Sequence, residues 1–173
     1  MGTTGVHSPA MGARLQLDEG SMCSWARALG AALRGGDVVL MRGQMGAGKT
    51  TFTRALARGL GIARPERVCS PTYTVCMIHP GPVELVHVDL FRLGEGDGSV
   101  GGAAFESLGL EHDELPGPAR VLVVEWSELW ADPPLEHLEI SLTRVAGHEE
   151  ARELGWRGVG PRWQELGIEA FPG

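Results

Sequence analysis

Lysine is almost missing from this chain. Of its 15 basic residues all are arginine except Lys49. The two side chains are not equivalent: an ammonium is a compact point charge on a flexible stem, and a guanidinium is a planar fork. Biased codon usage explains the missing lysines but not the position of the survivor. The scarcity also excludes a function, because guanine selection by an Asn-Lys-x-Asp motif needs a lysine that the chain does not have. Cysteine is sparse too, with three residues (Cys23, Cys69, Cys76) and no CxxC spacing. That argues against a disulfide framework or a zinc knuckle and for reduced thiols in a cytoplasmic protein. No apolar run reaches the roughly 18 to 20 residues of a membrane helix, so no membrane association is expected. Residues 1–12 lack a basic-then-apolar signal pattern and read as a short disordered leader. The net charge of −7 removes any expectation that the chain grips nucleic acid by itself.

What is present is the make-up of one ordinary folded domain. Residues 13–18 alternate as a short edge strand. Asp18 or Ser21 can cap a helix over about 22–34, with Trp25, Leu29 and Leu33 on one face and Gly35-Gly36 after its end. Val38 to Met41 form an apolar strand, and residues 50–60 an amphipathic helix with Phe52, Leu56 and Leu60 on one side. Further strands are expected within 68–78 and over 83–90, 121–124 and 135–144, and a short helix over 105–110. Trp156, Trp163 and Phe171 are expected to anchor a short C-terminal stretch. Interleaved strands and helices predict an α/β fold, a P-loop NTPase-like three-layer arrangement with a largely parallel central sheet and added antiparallel strands. The expected division is a leader over 1–12, one domain over 13–155, and a C-terminal extension over 156–173 packed on it or trailing it.

The surviving lysine sits in Gly43-Gln44-Met45-Gly46-Ala47-Gly48-Lys49-Thr50, the P-loop pattern. Glycines let consecutive backbone N–H groups converge on phosphate oxygens, and the next helix points its positive end at the same anion. Lys49 is placed to reach the β- and γ-phosphates, and the Thr50 hydroxyl to ligate Mg2+. Shuffling this composition produces the pattern roughly 0.002 times per chain, before the flanking strand and helix are required. The expected phosphate-binding residues are Gly46, Ala47, Gly48, Lys49, Thr50 and Thr51, with ATP and Mg2+ as ligands.

Such a site needs an acid at the end of a neighbouring strand. Asp89 follows Leu85-Val86-His87-Val88, and Glu125 follows Val121-Leu122-Val123-Val124. The second run is more uniformly apolar and so more central. Glu125 is therefore assigned to the metal with Thr50, and Asp89 to the attacking water or a supporting place behind the metal. Either acid could instead cap a turn. His87-Val88-Asp89 lacks a convincingly spaced third ligand for zinc or iron. Ser70-Pro71-Thr72-Tyr73-Thr74 places hydroxyls where nucleotide switches sense the γ-phosphate, although Pro71 could simply start a turn.

Four motifs occur in order: Gly43 to Thr51, Ser-Pro-Thr-Tyr-Thr at 70–74, His-Val-Asp-Leu-Phe-Arg-Leu at 87–93, and Val-Glu-Trp at 124–126. The set closely resembles the TsaE (YjeE) family over about residues 13–152. The resemblance implies a weak, partner-dependent ATPase required for the threonylcarbamoyladenosine modification of bacterial tRNA. It would work with the TsaD and TsaB proteins and meet tRNA only through that complex. It also implies that Gly46 to Thr51 line the phosphates, that Thr50 and Glu125 hold magnesium, and that Asp89 is essential for hydrolysis. Thr72 and Thr74 fall in its switch or partner segment, and Trp126 beside the nucleotide or the partner. The chain departs from the family in having Phe91 in place of a tyrosine. It also has His148-Glu149-Glu150-Ala151-Arg152 where Gly-Arg-Glu-Ala-Arg is usual. Two other readings of the residues stay open: a small-molecule kinase, with Arg64, Arg67 and Arg92 as lid candidates, and a nucleotide-bound scaffold without catalysis.

Overall fold

The computed structural model describes residues 14–70, 75–94, 100–107, 116–168 and 171. Seven strands form one sheet: β1 (Arg14–Leu17), β2 (Val38–Arg42), β3 (Cys76–His79), β4 (Glu84–Asp89), β5 (Arg120–Glu125), β6 (His137–Val145) and β7 (His148–Val159). Their spatial order is β1-β7-β6-β2-β5-β4-β3. The four central strands β6, β2, β5 and β4 are parallel, and β3, β7 and β1 add antiparallel edges. This is the α/β architecture expected from the sequence, a mixed sheet that is parallel in its centre.

Strand β2 is buried on both faces because its residues alternate between two cores. Val39 and Met41 face helices α1 (Glu19–Ala32) and α2 (Lys49–Leu60), while Val38 and Leu40 face the opposite layer. Strand β5 does the same, with Val121 and Val123 on the helical side and Leu122 and Val124 on the other. That opposite layer includes α3 (Gly102–Ser107), where the Phe105 ring stacks on Trp130 at 4.3 Å. Continuous apolar runs of this kind mark strands covered on both sides.

Helix α1 starts where the sequence offers a cap: the Asp18 carboxylate accepts from Ser21 N at 2.7 Å. Its central residue, Trp25, is fully buried against Phe52, Trp156 and Phe171, with ring centroids 5.9, 5.4 and 5.6 Å away. The helix packs on α2 at unusually close range. A Cβ on Gly30 would collide with the Leu56 carbonyl, so the contact requires glycine.

Strand β7 is the main element not anticipated. It continues through residue 155, where the sequence reading divides domain from extension, and carries Trp156 into the core. Helix α4 (Pro161–Glu165) follows and buries Trp163. The helix expected over 105–110 begins earlier, at Gly102, and among the described residues of the extended stretch over 68–78 a strand starts at Cys76. No helix among the described residues is long and apolar enough to cross a membrane.

Candidate functional site

The parallel strands β2, β4 and β5 all end at the same edge of the sheet, and α2 starts there. In a sheet of this type ligands collect at that edge. The turn from β2 to α2 is the glycine-rich segment. Gly43 has φ 145°, and a Cβ there would strike the Leu142 carbonyl. Gly48 precedes α2 in a left-handed conformation, and no side chain among the described residues caps the helix. The first-turn N–H groups of α2 thus keep their hydrogen-bonding capacity for an anion.

The turn borders a cavity of about 610 Å³, a size that suits a nucleotide. Gly46, Gly48, Lys49, Thr50 and Thr51 line it from the loop side, and Asp89, Glu125 and Trp126 from the strand ends. Glu19, Met45, Ser70, Phe91, Arg92 and Arg152 complete the wall. Of the residues expected at the phosphates, only Ala47 is not on the wall. Its side chain is fully buried, and its N–H donates to the Gln44 carbonyl at 3.1 Å. Thr72 and Thr74 lie outside the described residues.

Lys49 is folded back onto the loop. Its Nζ donates to the carbonyls of Gly43 and Gln44, the latter at 3.2 Å, and stands 4.0 Å from the centre of the Trp126 ring. Burial pushes the ammonium pKa below the ordinary lysine value, and Glu125, Glu128 and Asp89 pull the other way without cancelling the effect. Trp126 adopts a left-handed backbone, φ 59°, which is strained for so large a side chain. That turn swings the ring over Lys49 and against Phe91, with centroids 4.8 Å apart.

The two acids are neighbours. Asp89 pairs with Glu125 across the β4–β5 ladder, so both reach the cavity from the same level of the sheet. Glu125 Oε2 accepts from Thr50 Oγ1 at 3.2 Å, and its Oε1 lies 3.4 Å from Thr53 Oγ1 and 2.8 Å from His87 Nε2. A hydroxyl and a carboxylate oxygen facing each other at the head of a glycine-rich loop are the hard donors that magnesium prefers. Among the described residues there is no cluster of three or more His, Cys, Asp or Glu that could hold a metal alone. A cation here would therefore share its coordination with ligand phosphates and water, the usual manner of magnesium. The Asp89 oxygens accept from Ser70 Oγ at 2.7 Å and from Phe91 N at 3.0 Å, which fixes the carboxylate at the cavity wall.

Some contributors were not singled out in the sequence. Arg144 donates to the Gly46 carbonyl at 3.2 and 3.0 Å, and Arg152 to the Ala47 carbonyl at 3.1 Å. They come from β6 and β7, far along the chain from the loop, and Arg152 also lines the cavity. In the sequence His87 stands out only as half of a possible metal pair with Asp89. Its place two residues before Asp89 on one strand face was the available signal.

Several known proteins are similar to this chain over most of its length. Residues 17–154 match the family model described as "Threonylcarbamoyl adenosine biosynthesis protein TsaE". Two relatives named tRNA threonylcarbamoyladenosine biosynthesis protein TsaE are similar over most of their length. The Streptomyces coelicolor protein is 36% identical over 154 residues, covering 85% of this chain and 97% of its own. The Bacillus subtilis protein is 38% identical over 143 residues, covering 82% of each. The crystal structure of Bacillus subtilis YdiB superposes with a TM-score of 0.69 at 29% identity, covering 92% of this chain and 95% of that one.

Proposed function

The chain belongs to the TsaE family, and from that premise we propose that it binds and hydrolyses Mg-ATP in support of the threonylcarbamoyladenosine modification of tRNA. The observation that carries the reading is the meeting of Thr50 with Glu125, 3.2 Å apart, beside Asp89 at the head of the glycine-rich turn. In this reading the amides of Gly46 and of Gly48 to Thr51 cradle the phosphates, while that of Ala47 stays on the Gln44 carbonyl. Lys49 leaves the Gly43 and Gln44 carbonyls to meet the terminal phosphates, and Trp126 marks where it started. Thr50 and Glu125 hold magnesium, which when bound neutralises charge on the phosphate oxygens. Asp89, anchored by Ser70 and Phe91 N, orients the water that attacks the γ-phosphate, and ADP and phosphate leave. Positioning and charge stabilisation account for most catalysis of phosphoryl transfer, so a small set of fixed groups is sufficient.

In this reading the chain works in the cytoplasm with the TsaD and TsaB proteins and meets tRNA only through them. Thr72 and Thr74 supply the nucleotide-sensing segment that faces the partners, together with Trp126. An acidic protein that needs no nucleic-acid grip of its own fits such a place. The test is phosphate release from Mg-ATP together with nucleotide affinity, each with and without TsaD, TsaB and tRNA. Asp89→Asn and Glu125→Gln are expected to lose at least about a hundredfold in turnover, with Asp89→Asn still binding nucleotide. Lys49→Met should abolish capture of Mg-ATP. Turnover near wild type in both acid variants would remove the hydrolytic assignment. tRNA modification that cycles repeatedly without this chain would remove the biological one.

A further inference from the structure

Behind Glu125 lies a pair of buried histidines that the reaction scheme above leaves without a task. His87 on β4 is 0% exposed and His79 on β3 is 5% exposed. The β3–β4 register places Met77 opposite His87 and His79 opposite Leu85, so the two imidazoles are diagonal neighbours on one face of the sheet. Their ring centroids are 6.5 Å apart. His87 Nε2 stands 2.8 Å from Glu125 Oε1, and a carboxylate oxygen can only accept, so Nε2 carries the proton in that contact. Two nitrogens then remain: His87 Nδ1 and His79 Nε2 are both buried and have no hydrogen-bond partner among the described residues. Orphaned buried polar atoms are rare because each forfeits its hydration, and a pair of them in one place calls for a shared partner. One water bridging the two rings would satisfy both atoms.

We propose that His87 is a positioning residue for Glu125, presenting Nε2–H to Oε1 in a tautomer fixed by a water shared between His87 Nδ1 and His79 Nε2. The inference rests on the reading of Glu125 as a magnesium ligand. Its physical content is directional. Oε1 is tied from behind by His87, with Thr53 Oγ1 at 3.4 Å, so Oε2 is the oxygen left to face Thr50. A ligand carboxylate held in this way loses no rotational freedom when the cation arrives, and such supporting partners are typically worth 10- to 100-fold in metal affinity. Burial, the larger cause, pushes the His79 pKa below its ordinary value, which favours the neutral imidazole that a shared water requires.

The experiment has two parts, both on the full chain. Two-bond proton–nitrogen correlation NMR without metal or nucleotide reads the His87 tautomer. The expected state is protonation at Nε2 in the wild type, becoming mixed in His79→Phe. Magnesium titration of the ADP complex, followed calorimetrically, reads affinity without turnover. His87→Leu is expected to weaken magnesium about tenfold, His87→Gln to recover most of the loss through its amide N–H, and His79→Phe to lose severalfold. ADP affinity in EDTA should stay within twofold of wild type for all three, which a merely structural lesion would not allow. A His87 protonated only at Nδ1 overturns the proposal, as does unchanged magnesium affinity in His87→Leu when Glu125→Gln has lost it. If Glu125→Gln also binds magnesium normally, the failure belongs to the magnesium reading, and the tautomer still decides the histidine arrangement. Should His87→Leu fail to fold, His79→Phe and His87→Gln carry the same comparison.

Discussion

Arg144 and Arg152 stand directly opposite each other in the β6–β7 ladder and donate to consecutive carbonyls of the phosphate loop, Gly46 and Ala47. Like charges at facing positions normally repel and destabilise a sheet. Here the carbonyl dipoles offset the repulsion, and these bonds hold the loop against the β6–β7 pair. Hydrogen bonds from charged groups are worth about 1.5–3 kcal/mol when shielded from water. Arg152 is half-buried and Arg144 more exposed, so the former should matter more. Arg152→Ala is expected to weaken nucleotide binding about tenfold and Arg144→Ala severalfold, with a loss of thermal stability that is likewise larger for Arg152→Ala. Calorimetric titration alongside thermal melting separates the two effects.

Lys49 has a lower pKa in the folded site than the ordinary lysine value of 10.5, chiefly through burial. The unfolded chain therefore holds this proton more tightly than the folded one. The Lys49 contribution to stability is fully present above the unfolded value and is lost as pH falls through the folded value, so at neutral pH the ammonium sits at a cost. A bound phosphate relieves that cost because it favours the charged form. Nucleotide affinity should accordingly fall as pH rises, with a midpoint below 10.5, and binding on that limb should take up protons. Affinity measured at a series of alkaline pH values checks this, with Lys49→Met expected to be weak and flat throughout.

The parts of the molecule that could be read in the sequence are those governed by neighbours along the chain. Val38 to Met41, the glycine turn and Lys49–Leu60 announce themselves because the strand, the loop and the helix each follow from local pattern. Asp89 and Glu125 were recognisable as acids that end apolar runs. Their meeting across one rung was not, since register between β4 and β5 is a tertiary property. Strand β7 was hidden for a different reason. Its first half, His148 to Glu153, is mostly charged and exposed, and only Leu154 and Trp156 show the alternation of a half-buried strand. Pairing with β1 on one side and β6 on the other overrides that weak propensity. Arg144 and Arg152 became functional neighbours only through this hidden strand.

Gly30 and Gly59 let α1 and α2 approach until backbone meets side-chain space. A Cβ on Gly30 would press on the Leu56 carbonyl, and one on Gly59 on the Arg27 carbonyl. Neither neighbour is a flexible side-chain end that could swing away. Gly30→Ala should therefore destabilise by about 1–3 kcal/mol despite the better helix propensity of alanine. Because α2 carries Lys49 and Thr50 at its start, nucleotide affinity is expected to fall with it. Chemical denaturation with and without nucleotide measures both.

Asp37 and Arg162 are joined by a nearly buried ion pair that ties the C-terminal helix to the turn before β2. Arg162 Nε and Nη2 reach the Asp37 carboxylate at 3.1 and 3.0 Å, and Nη2 also donates to the Ala32 carbonyl at 2.8 Å. The carboxylate accepts a further bond from Arg34 N at 2.9 Å. Removing one partner of such a pair leaves the other charge buried and uncompensated, which typically costs about 3–5 kcal/mol. Arg162→Ala should lose nearly that much, and Asp37→Ala a similar amount, because the guanidinium then keeps only the Ala32 carbonyl and the Trp163 ring, neither of which carries a balancing charge. The double variant should lose less than the sum, since each single change already breaks the same contact. A thermodynamic cycle of the four proteins by denaturant unfolding measures the coupling. Since the pair lies on the far side of the sheet edge from Asp89 and Glu125, residual hydrolysis per folded molecule is expected to be unchanged.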